Sequence, residues 1–315
     1  MSGTNRPSIA SVTVVYNAEH IVGKQLDALV RQSYGLDEII VVDNGSTDNT
    51  ARLVSTRYPG ITLLSLPCNT GVGGALSTGL DYAALRKKYD WVWLLDDDSV
   101  PRHDALEELV KGLGSLNGAA DTVGILASLP VHSGKNLSYP GLLWKNGWIA
   151  PDSDRAAQNV SFVDAVISSG TLIRGQAVAR AGLPRADFFM DFVDFEHCLR
   201  LRRHGYAVGV VRSSVLEHEI GSPREIRFMG RSFVWADHAP FREFYLWRNY
   251  IFTIWNYYPN WRSKFFVLRR FFRHAAVVAL LGKRRLSCLR MMYLGLRDGR
   301  AGKLGIRFAN DSINV

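Results

Sequence analysis

Along the first hundred residues, short β-branched apolar runs alternate with stretches of helical spacing. SIASVTVV (8–15) and EIIVV (38–42) have the character of strands buried on both faces of a parallel sheet. Between them Ile21, Leu26, Leu29 and Val30 recur at helical spacing up to a turn at 33–35. After Asp43, the run NGSTDNTARLVSTRY predicts a helix capped by Ser46 or Thr47, and another short strand follows at 61–66. Residues 74–88 predict a helix with a basic end, and WVWLLDDD (91–98) predicts a strand running into an acidic terminus. This alternation predicts an α/β fold with a mostly parallel, doubly wound sheet.

Ligands of such sheets bind at the carboxyl ends of the strands, and three predicted strands end in polar clusters: Tyr16-Asn17, Asp43-Asn44 and Asp96-Asp97-Asp98. Residues 130–160 mix Pro, Gly, Ser and Asn with aromatics and predict a long loop or small hairpins over the site. FVDAVISSGTLIRG reads as a strand broken at Ser169-Gly170. VDFEHCLRLRRHGY predicts a helix with Asp194 as N-cap, Phe195, Cys198 and Leu199 on one face, and Gly205 as its stop. Internal repeats and low-complexity stretches are absent from the sequence.

Composition narrows the class. A chain of 315 residues with 47% hydrophobic and 11% aromatic residues is not a disordered chain, a collagen or a small disulfide scaffold. Its three cysteines (Cys68, Cys198, Cys288) give neither a disulfide framework nor a zinc pattern. The longest aliphatic run near the C-terminus, 275–281, is far too short to cross a bilayer, and MSGTNRPSIA lacks a signal layout, so a cytoplasmic location is expected. The net charge of +9 is unevenly distributed. Residues 261–315 hold 13 Lys/Arg against 2 Asp/Glu, leaving 25 against 27 for residues 1–260. Basicity is therefore a property of the tail, where it can serve nucleic acid, an anionic membrane or an acidic partner.

Three consecutive aspartates after an apolar strand repel one another unless water, a basic side chain or a divalent cation relieves them. Asp96 and Asp98 share a face and can meet one ion; an exposed acidic turn is the bland alternative. Asp43 can accept hydrogen bonds from a base or ribose, or cap the turn through NGSTD. NTGVGGALSTG (69–79) permits close backbone approach at a helix start but is neither a P-loop nor GxGxxG. Asp187, Asp191, Asp194 and Glu196 cluster among FFM and FV, apolar surroundings that can raise a carboxyl toward general-base duty, although Asp194 also suits a plain N-cap. His218 either serves structure or completes a metal site with Asp96 and Asp98.

Taken in order, VTVVYN (12–17), IIVVDNGSTD (39–48), NTGVGGALSTG (69–79), WLLDDDSVP (93–101), SSGTLIRG (168–175) and DFVDFEHCLRLRRHGY (191–206) resemble an inverting glycosyltransferase of family 2 with the GT-A fold. These motifs span about two thirds of the chain. LLDDDSVP, FFMDFVDFEHCLR, the H-x-I-G at 218–221 and FREFYLWRNYIF (241–252) resemble the rhamnosyltransferase branch, and galactofuranosyltransferases share the triple aspartate. The resemblance implies a catalytic domain over 1–225, with a donor-binding half at about 1–100 and an acceptor-side half at about 101–225, and a helical basic extension over 226–315. It implies Tyr16, Asn17, Asp43, Asn69 and Gly71 around the nucleotide, and Asp96 and Asp97 on the nucleotide-sugar. Asp96 and Asp98 would hold Mg²⁺ or Mn²⁺ on the diphosphate, with His218 a further metal or phosphate contact. Asp194 would deprotonate the acceptor hydroxyl, with Asp191, Glu196, Trp247, Arg248 and Asn249 in the acceptor region. Ser77 stands where the family often has Asn, which weakens any base contact there. The implied activity is transfer of L-rhamnose from dTDP-rhamnose, or alternatively of galactofuranose from UDP-galactofuranose, to a saccharide or lipid-linked saccharide acceptor in cell-surface polysaccharide synthesis.

Two other classes compete. A nucleotidyltransferase would carry an N-terminal glycine-rich loop with Arg and Lys, which VTVVYNAEH lacks. A nucleic-acid-binding protein fits the aromatic and basic tail, but three acidic clusters in the expected cleft and a net-negative first 260 residues count against it, so no nucleic-acid partner is expected. In the tail, Phe265, Phe266, Leu268, Phe271, Phe272, Ala275 and Val278 form an apolar band with Arg262, Lys264, Arg269, Arg270 and Arg273 around it. Residues 261–307 are thus expected to lie peripherally on an anionic membrane at its cytoplasmic face. Packing on the catalytic domain, or on a second subunit in a homo-oligomer, is the competing use of the same band.

Overall fold

The computed structural model describes residues 6–132, 138–145, 148–152, 158–218, 224–228, 231–235 and 237–308. In chain order the first half runs β1 (Ile9–Val15), α1 (Val22–Val30), β2 (Glu38–Asp43), α2 (Thr50–Arg57), β3 (Thr62–Ser65), α3 (Gly71–Leu80), β4 (Trp91–Asp96), β5 (Ser99–Pro101), α4 (Ala105–Ser115) and β6 (Val123–Val131). The second half runs β7 (Leu142–Lys145), β8 (Trp148–Pro151), β9 (Val160–Val163), β10 (Thr171–Arg174), α5 (Gly175–Ala181), α6 (Val193–Arg203), β11 (Ala207–His218), β12 (Arg224–Phe228), β13 (Arg231–Trp235), α7 (Pro240–Tyr257), α8 (Trp261–Leu281) and α9 (Arg285–Arg300). The chain divides into two compact units, one of residues 1–143, 149–186 and 194–218, the other of residues 144–148, 187–193 and 219–315.

The first unit is built on a nine-stranded sheet in the order β3-β2-β1-β4-β10-β6-β11-β5, with β9 also paired to β11. As expected, β3, β2, β1 and β4 are mutually parallel. Beyond β4 the sheet is mixed: β10 runs antiparallel to both β4 and β6, and β11 is parallel to β6 but antiparallel to β5 and β9. The chain re-enters the sheet as β10 at the end where β6 leaves it, a reversal that a run of apolar residues cannot announce. Strand β1 is central and its residues Ile9, Ala10, Val12 and Val15 are fully buried. Thr13, equally buried, accepts a hydrogen bond from Gln25 Nε2 at 2.8 Å, so this polar intrusion is satisfied.

Two helix boundaries differ from the sequence expectation. Helix α2 starts at Thr50, and Asp48 rather than Ser46 or Thr47 holds its first turn, accepting from Thr50 N at 3.0 Å. Ser46 is drawn away to accept from Asn17 N at 2.9 Å. The segment expected as one helix over 74–88 is α3 followed by a π-helical turn at Asp81–Arg86, ended by the left-handed Lys88.

The second unit contains the antiparallel pair β12 and β13 and helices α7, α8 and α9. Helix α7 is enclosed on most sides, burying Phe244, Tyr245, Trp247, Arg248, Asn249, Ile251 and Ile254. It meets α9 backbone to backbone, because a Cβ at Gly295 would lie 2.5 Å from Phe244 O and one at Gly299 2.4 Å from Arg248 O. Glu243, 1% exposed, accepts from Trp247 Nε1 at 3.1 Å and His274 Nε2 at 3.0 Å, with His238 Nδ1 at 3.3 Å. Burial opposes its ionisation, but the hydrogen bonds and charges of the two histidines prevail and bring its pKa down to about 2.

Helix α3, whose N-terminal turn borders the expected nucleotide side, docks on the sheet through Gly79: a Cβ there would fall 2.4 Å from Val12 Cγ1 and 3.1 Å from Val42 Cγ2. Gly79→Leu should therefore overpack this contact and cost about 1–3 kcal/mol, read as a lower denaturant midpoint with unchanged slope.

Candidate active site

The apolar strand β4 ends by delivering three carboxylates to one place. Trp93, Leu94 and Leu95 are buried, so the strand is anchored up to the residue at which the aspartates begin. β5 then pairs with the end of β11, setting Ser99 opposite His218. One ligand atom from each of Asp96, Asp98 and His218 lies within 4.8 Å of the others, a donor set that can hold a metal ion. His218 Nδ1 is 3.0 Å from Asp98 Oδ1 and 2.8 Å from Ser99 Oγ.

Two buried serines tie this cluster to the rest of the site. Ser99 Oγ and Ser169 Oγ are 2.6 Å apart, and Ser169 Oγ accepts from Asp96 N at 3.2 Å. The adjacent Ser168 N donates to Asp194 Oδ2 at 3.3 Å, and Asp194 Oδ1 also accepts from Phe195 N at 2.8 Å. The sequence read Ser169-Gly170 only as a strand break; its turn, with Gly170 at φ +80°, is a link between β4 and Asp194. Asp194 sits in the first turn of α6 rather than at the N-cap, because the helix begins at Val193.

The electrostatics register the crowding. Burial, with the charges of Asp98, Asp97 and Asp194 added, pushes the Asp96 pKa up to about 7 against the opposing pull of His218. Burial and the charge of Asp98 push Asp97 up to about 6, although the Tyr16 backbone N–H donates to it. For His218, burial disfavours the charged form, but the hydrogen bond and charge of Asp98, reinforced by Asp96 and Asp97, raise its pKa above the ordinary imidazole value. Three neighbouring carboxyl groups facing one imidazole leave the site short of positive charge. Oxygen donors with one imidazole suit a divalent cation that takes mixed O and N ligands.

The loops expected around the nucleotide are laced together. Asn17, at φ +50°, accepts through Oδ1 from Thr47 N at 2.8 Å, and Asp43, 4% exposed, accepts from Ser46 N at 3.0 Å. Asn69 Oδ1 accepts from Gly71 N at 2.8 Å and from Asn44 Nδ2 at 3.1 Å, while Asn44 Oδ1 accepts from Thr70 N at 2.9 Å. Gly71 has φ +75°, a left-handed start to α3. Ends of β1 and β2 and the start of α3 are thereby joined, with Asn44, named in the strand-end cluster, and Ser46, expected as a helix cap, as the linkers.

The acidic block divides by partner. Asp191 is gripped by the Arg242 guanidinium, Nε and Nη2 to its two oxygens at 3.2 and 3.1 Å. Glu196, 1% exposed, is held by Arg200 at 3.1 Å. Trp247, Arg248 and Asn249 are at most 2% exposed, and Arg248 and Asn249 spend their donors on backbone carbonyls of residues 187–191 and 305. Arg242 was not singled out, since a partner 51 residues away leaves no local signal. The glycine of the expected H-x-I-G at 218–221 lies outside the described residues.

Comparison with known proteins accords with this geometry. The sequence model of Glycosyl transferase family 2 matches residues 11–167. Galactofuranosyltransferase GlfT1 of Mycolicibacterium smegmatis is 25% identical over 70% of this chain and 73% of its own. dTDP-rhamnosyl transferase RfbF of Shigella flexneri is 25% identical over 95% of this chain and 97% of its own. Among solved structures, GalNAc-T7 with UDP, GalNAc and Mn²⁺ superposes with a TM-score of 0.60 at 12% identity, over 95% of this chain and 56% of that one. The matched stretch runs from β1 past β9 and takes in the loops and carboxylates at the ends of β1, β2 and β4, so this chain belongs to glycosyl transferase family 2 and is an enzyme of the GT-A fold.

Proposed function

We propose that the protein is a cation-dependent inverting glycosyltransferase that moves a sugar from a nucleoside diphosphate donor to a hydroxyl of a saccharide or lipid-linked saccharide. The observation carrying this reading is the Asp96, Asp98 and His218 group at the end of β4, with the Asp194 charge felt at Asp96. A divalent cation held there would neutralise charge developing on the departing diphosphate. Mn²⁺ suits a set that includes an imidazole better than Mg²⁺ does. The loops at Tyr16, Asn17, Asp43, Asn69 and Gly71 form the nucleotide side, where backbone N–H groups and small residues leave room for base and ribose.

Asp194 is the base: its carboxylate takes the proton of the acceptor hydroxyl as that oxygen bonds to the anomeric carbon and the bond to diphosphate breaks. One displacement inverts the configuration. Asp191 and Glu196 are already engaged, the first by the Arg242 guanidinium and the second by Arg200. dTDP-rhamnose is the first donor to try, since likeness to the rhamnosyl transferase extends over 95% of the chain, and UDP-galactofuranose the second. Synthesis of cell-surface polysaccharide is the setting this implies.

The same reading includes a site of work. No helix among the described residues is long and apolar enough to span a membrane. Helix α8 packs through Ser263, Val267, Phe271 and Val278, yet carries Trp261, Phe265, Phe272 and Leu280, 62–71% exposed, on its other side. Residues 261–290 contain nine Lys/Arg and no Asp/Glu. An apolar stripe among cations suits the headgroup region of an anionic bilayer. A second copy on the same face would bring like charges together.

Asp194→Asn should lower turnover by about 10²–10⁴-fold with donor affinity nearly unchanged; wild-type turnover would remove Asp194 from the mechanism. Asp98→Ala should abolish Mn²⁺-dependent donor binding in calorimetry. In metal-free protein, Asp96 and Asp97 bind protons more tightly folded than unfolded, so stability falls as pH rises from about 4 to about 7. Added Mn²⁺ should therefore raise Tm more at pH 8 than at pH 5.5, and equal shifts would count against carboxylate ligation. In flotation, the protein should rise with phosphatidylglycerol vesicles and not with phosphatidylcholine vesicles, and Phe265→Ser with Phe272→Ser should remain at the bottom.

A further inference from the structure

Within the helical unit, residues 187–193 are held in a backbone conformation that their side chains disfavour. Phe189, Asp191 and Phe192 have φ of +65°, +53° and +65°, left-handed values that crowd the Cβ of any residue but glycine. Helix α7 supplies what holds them there. Arg248, 1% exposed and lying 4.8 Å over the Tyr245 ring, donates through Nη2 to Asp187 O and Phe188 O, both at 2.9 Å. Its Nε donates to Asn249 Oδ1 at 2.8 Å, which fixes the orientation of that amide. Asn249 Nδ2 then faces Phe188 O at 3.0 Å, Met190 O at 2.7 Å and Asp191 O at 2.9 Å. Arg242 grips the Asp191 carboxylate, and Phe189 and Phe192 rest against Tyr245 and Tyr250 with ring centroids 4.9 Å apart in each pair.

We infer that Arg242, Arg248 and Asn249 are positioning residues for transfer, acting through the 187–192 strap rather than on the substrate. The strap leads through a single residue, Val193, into Asp194, so its conformation sets where the helix bearing the base begins. A turn with only a structural duty could use glycine at its left-handed positions. Here bulky residues are kept in them and a buried guanidinium and amide satisfy the carbonyls that result. The inference rests on the assignment of Asp194 as base.

The test compares Asn249→Ala with Asp194→Asn in the full chain. Hydrogen exchange, which needs no substrate, should quicken in Asn249→Ala for residues 187–194 and not in the strands of the sheet. With Mn²⁺ and dTDP-rhamnose or UDP-galactofuranose, turnover by hydrolysis should fall about 10–100-fold while donor affinity stays within about twofold. Should Asn249→Ala fail to fold, Arg242→Gln, which alters a partly exposed side chain, should show the same split. Unchanged exchange at 187–194, wild-type turnover, or donor affinity falling in step with turnover would overturn the inference. An inactive Asp194→Asn beside a fully active Asn249→Ala would sink this inference alone, whereas a fully active Asp194→Asn would sink the assignment of the base.

Discussion

Like charge gathered at one strand end is the constraint around which the catalytic unit is arranged. The backbone from Asp96 to Asp98 cannot spread its carboxylates apart, because β4 is pinned by buried Trp93 and Leu95 and β5 begins at Ser99. His218 brings at most one positive charge against three negative ones. The protein accommodates the excess by raising the proton affinity of Asp96, Asp97 and His218 together, a costly state that an incoming divalent ion would relieve. Burial, reinforced by repulsion among the carboxylates, thus makes the site receptive to a cation, and the Ser99–Ser169 pair links the strand end to the 168–170 turn.

The parallel half of the sheet was legible because its signal is local. A strand buried on both faces reads as a nearly continuous apolar run, and β1, β2 and β4 announce themselves in that way. Strand direction in the mixed half was not legible, since β10 looks the same whether it runs with β4 or against it. Asp96, Asp98 and His218 could be named from strand ends, but the contacts that make them a site could not. Ser99, Ser169 and Arg242 act across 51 to 119 positions of sequence, and a serine or arginine carries no mark of its partner. Arg248 and Asn249 were placed in the acceptor region by family resemblance alone; the fold encloses their side chains and uses their donors largely for backbone carbonyls, a use that no local pattern announces.

Charge and burial follow opposite rules in the two units. In the sheet unit, acids concentrate at strand ends and the design tolerates raised pKa values there. In the helical unit, buried acids are paired directly: Glu243 with His238 and His274, Asp298 with Arg297 and Arg307. The remaining cations of α8 are largely left to the surface, beside exposed aromatics, so the positive charge that is not needed to stabilise this unit is available to something outside it.

The division of the acidic block follows the same logic. Asp191, Asp194 and Glu196 fall within six residues and look alike in sequence, yet the fold gives them different contacts. Arg242 pairs with Asp191 and Arg200 with Glu196. Asp194 accepts backbone N–H groups from Ser168 and Phe195 and adds its charge to the field at Asp96. The spacing of the acids therefore assigns nothing by itself.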